Sequence, residues 1–299
     1  MVASLAALLT PPHVIAGWPN PTPGSTRVLA ISPDGNDSNP GTRAEPFRTI
    51  SRAAEAAEPG TTVVVTAGTY VGSFRTAASG TASAPITYVA EPTWGARLVG
   101  DGTADTVWRN DGDHVEIRGF EISGAAIDGL VNSGSFVRIA ENKVSGFANG
   151  NCITTARSGY TLHDIDVIAN VAHGCGGSAL DHGIYVSHPG GTVANNIAVR
   201  NGEYGIEESG ATGPNNLYLH NIVFANAEGG LDLDTGRESG TIMRDPMFVG
   251  DLLDVTSDYR LQAASPGVDA GTPDGAPATD IKGTPRPQGR GVDIGPYER

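Results

Sequence analysis

The strongest constraint on this chain is an internal repeat. Five segments share one pattern: Glu121-Ile-Ser-Gly-Ala-Ala-Ile-Asp-Gly-Leu130, Asn142-Lys-Val-Ser-Gly with Asn151-Cys-Ile153, Asn170-Val-Ala-His-Gly with His182-Gly-Ile184, Asn196-Ile-Ala-Val-Arg-Asn-Gly with Tyr204-Gly-Ile206, and Asn221-Ile-Val-Phe-Ala-Asn with Gly229-Gly-Leu231. Their lead residues lie 21, 28, 26 and 25 positions apart. That period is long for a leucine-rich unit and short for a propeller blade, but it fits one coil of a parallel β-helix. Asn142, Asn170, Asn196 and Asn221 occupy the same place between an incoming and an outgoing strand. Asn tolerates left-handed geometry, and its amide can bond to the Asn one coil above, so a stacked Asn ladder is expected at this corner.

Composition agrees. With 41 Gly and 20 Pro in 299 residues, a long helical bundle is excluded, and the 39% apolar content argues against disorder. The expected architecture is all-β: a solenoid of about eight to ten coils over residues 61–244, preceded by a tail at 1–26 and an N-terminal cap at 27–60. In that cap Phe47, Ile50, Ala53, Ala54 and Ala57 fall on one face of a capping helix that Pro59-Gly60 stops. Residues 245–299 lose the repeat and read as a loop-rich C-terminal cap.

Two stretches carry a resemblance. Ile31-Ser-Pro-Asp-Gly-Asn-Asp-Ser-Asn-Pro-Gly-Thr42, Pro46-Phe-Arg-Thr-Ile50 and Pro59-Gly-Thr-Thr-Val-Val-Val-Thr-Ala-Gly-Thr-Tyr70 open the chain. Asp245-Pro-Met-Phe-Val249, Asp258-Tyr-Arg-Leu261, Ser265-Pro-Gly-Val-Asp-Ala-Gly271 and Gly291-Val-Asp-Ile-Gly-Pro-Tyr-Glu298 end it. Together with the coils these segments resemble secreted bacterial right-handed parallel β-helix proteins of the pectate lyase-like superfamily. The resemblance implies right-handed coils, secretion and a polysaccharide partner. It does not choose among the lyases, hydrolases, epimerases and non-catalytic surface proteins of that superfamily.

The coil alignment maps a candidate site. If Leu130, Ile153, Ile184, Ile206 and Leu231 point inward, the next residues, Val131, Thr154, Tyr185, Glu207 and Asp232, form an outward file with about 4.8 Å between coils. Two positions on, the outward residues are Ser133, Ala156, Ser187, Ser209 and Asp234. Asp181, His182, Tyr204, His188 and Arg157 flank the file. Glu208 points inward by parity, and the strand is expected to have bent before it. Stacked carboxylates either share a proton or hold a cation. Glu207 and Asp232 are therefore candidates for a calcium site, the one cofactor the resemblance implies, or for the acid/base pair of a glycoside hydrolase.

A lyase on a uronic-acid polymer, cleaving by β-elimination, is the leading expectation. His182 or Tyr185 would serve as base or acid, Arg157 would neutralise the uronate carboxylate, and Glu207 with Asp232 would bind the cation or orient sugar. Asp181, His188, Tyr204 and Asp234 would contact substrate. Lysine is a frequent base in the lyases this chain resembles, but Lys143 sits beside a turn and Lys282 lies in the C-terminal cap. A hydrolase using Glu207 and Asp232, and a non-catalytic surface or adhesion module with a merely solvated polar file, are the alternatives.

The formal charge of −14 argues against nucleic acid and anionic membrane surfaces as partners. No apolar stretch approaches the ~20 residues of a membrane span. A secreted monomer is expected. Cys152 and Cys175 could form a bridge or remain two buried thiols.

Overall fold

The computed structural model describes residues 27–156, 162–178, 180–210, 215–257 and 259–299. The chain winds as a right-handed parallel β-helix with three strand-bearing faces. The first face carries Val115–Arg118, Val137–Ala140, Ile165–Ile168, Thr192–Ala194 and Leu217–Leu219. After a corner, the second carries Glu121–Ala125, Lys143–Ser145, Val171–His173, Ile197–Val199 and Ile222–Phe224. Two long strands, Thr62–Val71 and Ile86–Asp101, pair in parallel and run through this corner, with a register shift between Thr66 and Gly68. The third face is a separate sheet of seven parallel strands: Phe74–Thr76, Thr106–Asn110, Asp128–Asn132, Ile153–Thr155, Ile184–Val186, Tyr204–Glu208 and Gly229–Leu233.

Seven rungs on that face make about six turns from first to last, fewer than the eight to ten expected. Only one helix is present among the described residues, Ile50–Ala56, which packs on the first strands. Thr49 caps it by accepting from the Arg52 N–H, and Ile50 and Ala53 are its buried residues.

Alternation explains the interior. Leu130, Ile153, Ile184 and Ile206 are fully buried and register one above another, while their neighbours face out. In the first coils Trp108 stacks edge-on against Tyr88 at 5.6 Å and Phe120 at 4.9 Å.

The expected Asn ladder is present between the first two faces. The Asn142, Asn170 and Asn196 side-chain amides donate to the Oδ1 of the Asn in the next coil at 3.1, 3.1 and 3.0 Å. A second ladder joins Asn201 to Asn226 at 2.9 Å. The left-handed residue of each corner is not the ladder Asn but the one before it, Glu141, Ala169, Asn195 and His220, with φ between 51° and 57°. The Oδ1 atoms of Asn170, Asn196 and Asn221 each take two donors, the backbone N–H and side-chain amide of the Asn one coil earlier, while that of Asn142 accepts from the Phe120 N–H, and so the ladder fixes each turn around a disfavoured residue.

Replacing Asn196 by Ala strands the Asn170 N–H and the Val167 carbonyl in a dry interior. We expect a loss of about 2–4 kcal/mol in urea unfolding. A cost below about 0.5 kcal/mol would show that the corner holds without its ladder.

Among the described residues, 245–299 contain no strand of three or more residues. They run back along the outside of the coils rather than simply ending beyond the last one. Phe248, Tyr259, Leu261 and Ile294 pack on Val171, Ile197, Val199 and Ile222 of the second face. Arg138 donates to the Gly275 carbonyl, Asn195 to that of Thr272, and Trp94 stacks edge-on against Tyr297. No helix of the described residues is long and apolar enough to cross a membrane.

Candidate functional site on the third face

The outward file on the third face has the register anticipated from the repeat: Val131, Thr154, Tyr185, Glu207 and Asp232 are successive parallel partners. Toward the first coils the same file continues through Arg109 and Arg75. Both of these Arg are paired with Asp111, at 3.0 and 2.6 Å. The file is therefore acidic at one end and basic, though paired, at the other.

His182 is the centre of the acidic end. Its side chain is only 3% exposed, because its ring is stacked between Tyr185 and Tyr204, at centroid distances of 5.6 and 6.3 Å and 19° to each. Nε2 lies 2.8 Å from Oε2 of Glu207 and 3.6 Å from Oε2 of Glu203. Nδ1 is buried and has no hydrogen-bond partner. The backbone is fixed too, since the His182 N–H donates to Asn151 Oδ1 at 2.6 Å. His182 thus offers neither nitrogen to solvent. Tyr185 and Tyr204, both half-buried, are the partly exposed rings that flank His182.

The electrostatics follow from this crowding. Burial pushes the Glu207 carboxyl above the usual carboxylate range, and Glu203, Asp232 and Asp234 add to the effect. Glu203 rises likewise through burial, then Glu228, Asp232 and Asp181. Burial lowers His182, against the pull of Asp181 and Asp232. Asp232 above all, then burial and the other acids, raises the Tyr204 phenol.

Other expected members stand elsewhere. Asp181 is buried and folds its own turn, its Oδ2 accepting from the Gly177 and Ser178 N–H groups and the Ser178 hydroxyl. Its carboxyl is held low by those donors although burial opposes them. His188 is 1% exposed, with Nδ1 3.3 Å from the Pro189 carbonyl and its own carbonyl accepting from the Asn216 amide, so it belongs to the interior and not to a substrate contact. Its strand ends at Val186, and the chain has turned inward before residue 188. Asp234 is exposed and caps Gly210 N–H at 2.8 Å. Asp232 is exposed on the rung beside Glu207. Arg157 lies outside the described residues.

Glu208 departs from expectation. The strand continues through it, pairing it with Val186 and Leu233, and its side chain is buried and accepts from the Thr235 hydroxyl at 2.9 Å. Lys143 is buried on the second face, 3.2 Å from Glu121 and over the rings of Trp94 and Tyr259, so it is not part of the third face.

Glu203 was not among the residues expected from sequence. Its signal was a second repeat: Asp181-His-Gly-Ile184, Glu203-Tyr-Gly-Ile206 and Glu228-Gly-Gly-Leu231 each place an acid three residues before the inward apolar residue. Backbone bonds from Glu203 N–H to Asp181 and from Glu228 N–H to Glu203 confirm that these three stack.

Cys152 and Cys175 form a disulfide that closes 23 residues. Cys152 N–H donates to the His182 carbonyl and Cys175 N–H to Asn201 Oδ1, so the bridge braces the segment that delivers His182.

A parallel β-helix with a polar outward file is the architecture of a large class of proteins with many activities. Residues 29–179 match the family model described as the Pel9A-like right-handed β-helix region, and the chain belongs to that family. The match ends just before the His182 cluster. Over 93% of this chain and 98% of the other, the fold is similar to the crystal structure of pectate lyase Pel9A, with a TM-score of 0.51 and 16% identity. An alginate lyase from Paenibacillus sp. str. FPU-7 is similar over 74% of this chain and 96% of its own, with a TM-score of 0.47 and 17% identity. A stretch of 65 residues is 46% identical to the uncharacterized protein YwoF of Bacillus subtilis (strain 168), covering 22% of this chain and 14% of that protein.

Proposed function

We propose that the chain is a secreted polysaccharide lyase that cleaves a uronic-acid polymer by β-elimination in the groove along the third face. The observation that carries this reading is the pair of tyrosines stacked on His182 at the acidic end of a register-matched outward file. Membership of the Pel9A-like family supports the polymer class. The disulfide suits an oxidising, extracellular setting.

In this reaction the C5 proton, made acidic by the neighbouring carboxyl, is removed. The C5–H electron pair becomes the C4–C5 double bond as the C4–O bond breaks, and the departing oxygen takes a proton. Tyr185 is the group we assign to these proton transfers, because it is partly exposed on the outward file whereas His182 is buried. His182 positions Tyr185 through the stack, and Arg157 is assigned to the uronate carboxylate.

One observation favours a second reading. The raised Glu207 carboxyl, one rung from Asp232, has the character of a general acid in a glycoside hydrolase. A panel of pectate, alginate, glucuronan and neutral glycans separates the two. A lyase generates an unsaturated uronate seen by ultraviolet absorbance, and a hydrolase releases reducing ends without it. No product from any member of the panel would leave a non-catalytic carbohydrate-facing module.

A further inference from the structure

We propose that His182, Glu203 and Glu207 form a site for a divalent transition-metal ion of the zinc type. One ligand atom from each residue lies within 4.8 Å of the other two. The two measured nitrogen–oxygen separations are 2.8 and 3.6 Å. Ligands about 2.1 Å from a tetrahedral zinc are roughly 3.4 Å apart, so side-chain shifts on the order of 1 Å close the set.

Two further features point to a cation. Oε2 of Glu203 is buried yet has no hydrogen-bond partner, a costly state for a carboxylate oxygen. No ion pair among the described residues brings a Lys or Arg to Glu203 or Glu207, while Asp232 and Glu228 add negative charge nearby. A divalent ion supplies both the missing partner and the missing charge. His182, buried and held by its backbone bond to Asn151 and by two flanking rings, is a preorganised nitrogen ligand.

The donor set selects the metal. Calcium takes six to eight oxygens, and an imidazole with two converging carboxylates does not make such a cage. One nitrogen and two carboxylates suit zinc or manganese, and three protein ligands leave a position open for a water or a substrate oxygen. The site does not rest on the lyase reading, because its occupancy is measured without substrate.

The test is a titration of the chelator-stripped full chain with Zn²⁺, followed by competition against a chromophoric chelator, with Ca²⁺ as the comparison ion. We expect one equivalent of zinc, bound at least ~100-fold more tightly than calcium, and a melting temperature that rises with zinc. Glu203→Gln is the informative variant, since Glu203 makes no hydrogen bond that the fold would lose. It should weaken zinc binding at least ~10-fold while keeping the metal-free melting temperature. Glu207→Gln should weaken it as well. Absence of saturable zinc binding, equal affinity for calcium, or unchanged zinc affinity in both variants would overturn the proposal. Zinc binding by a chain inactive on every polyuronate would retain the site and remove the lyase reading, and an active chain that binds no zinc would do the reverse.

Discussion

Replacing Tyr185 by Phe is expected to lower turnover of a polyuronate by ~10²–10⁴-fold, the usual share of a positioned proton-transfer group. The loss should fall on kcat with KM little changed, because the ring that stacks on His182 at 5.6 Å is kept and only the hydroxyl is removed. Stability should be unaffected, since the hydroxyl makes no hydrogen bond within the described protein. Steady-state kinetics with the preferred substrate, together with a thermal melt, check both halves. Full activity in this variant would move the proton transfer to another residue, with Tyr204 the next to substitute.

Acid should destabilise the fold well before most carboxylates titrate. Burial pushes His188 down to about 4, with the Pro189 carbonyl and Asp164 opposing it. Burial, then Arg200 and Lys143, pushes His173 down to about 4 as well. Both are neutral in the folded chain, whereas in the unfolded chain they take up protons near the ordinary value of 6.5. The unfolded state therefore binds more protons between these limits, and stability falls as pH drops from about 6.5 toward 4. Each shift corresponds to roughly 3 kcal/mol, so the pair removes on the order of 6 kcal/mol if both remain buried. Glu203 and Glu207, whose carboxyls are raised, act in the opposite sense, because folding favours their protonated forms. Urea midpoints at pH 7, 6 and 5 should decline steadily, and His173→Gln combined with His188→Gln should flatten the slope. A wild-type midpoint constant over this range would refute the assignment.

Much of the coil geometry was legible in the sequence for a simple reason. A solenoid repeats its local environment, so the corner Asn and the inward Ile or Leu recur once in each coil and fix the register from Val131 to Asp232. The same logic could have yielded Glu203, whose acid-x-Gly-apolar pattern recurs in three coils. Other features depend on where a strand stops, which alternation alone does not specify. His188 lies beyond the end of its strand and turns inward, while Glu208 remains inside its strand and is buried by parity. The burial of His182 arises from Tyr185 in its own coil and Tyr204 in the next, and the second of these contacts joins residues that are distant in sequence.

The course of the C-terminal segment was the least legible part, and it changes how the molecule should come apart. In an ordinary solenoid each coil touches only its neighbours, so stability is a sum of local terms and the ends can fray one coil at a time. Here Tyr297 reaches Trp94 near the start of the coils, Gly275 receives Arg138 in the middle, and Ala270 receives His220 near the end. The segment is a lengthwise strut that couples coils which never meet each other. Opening any one of them breaks contacts shared with the others, so a stack that would otherwise unzip in stages is bound into a single cooperative unit.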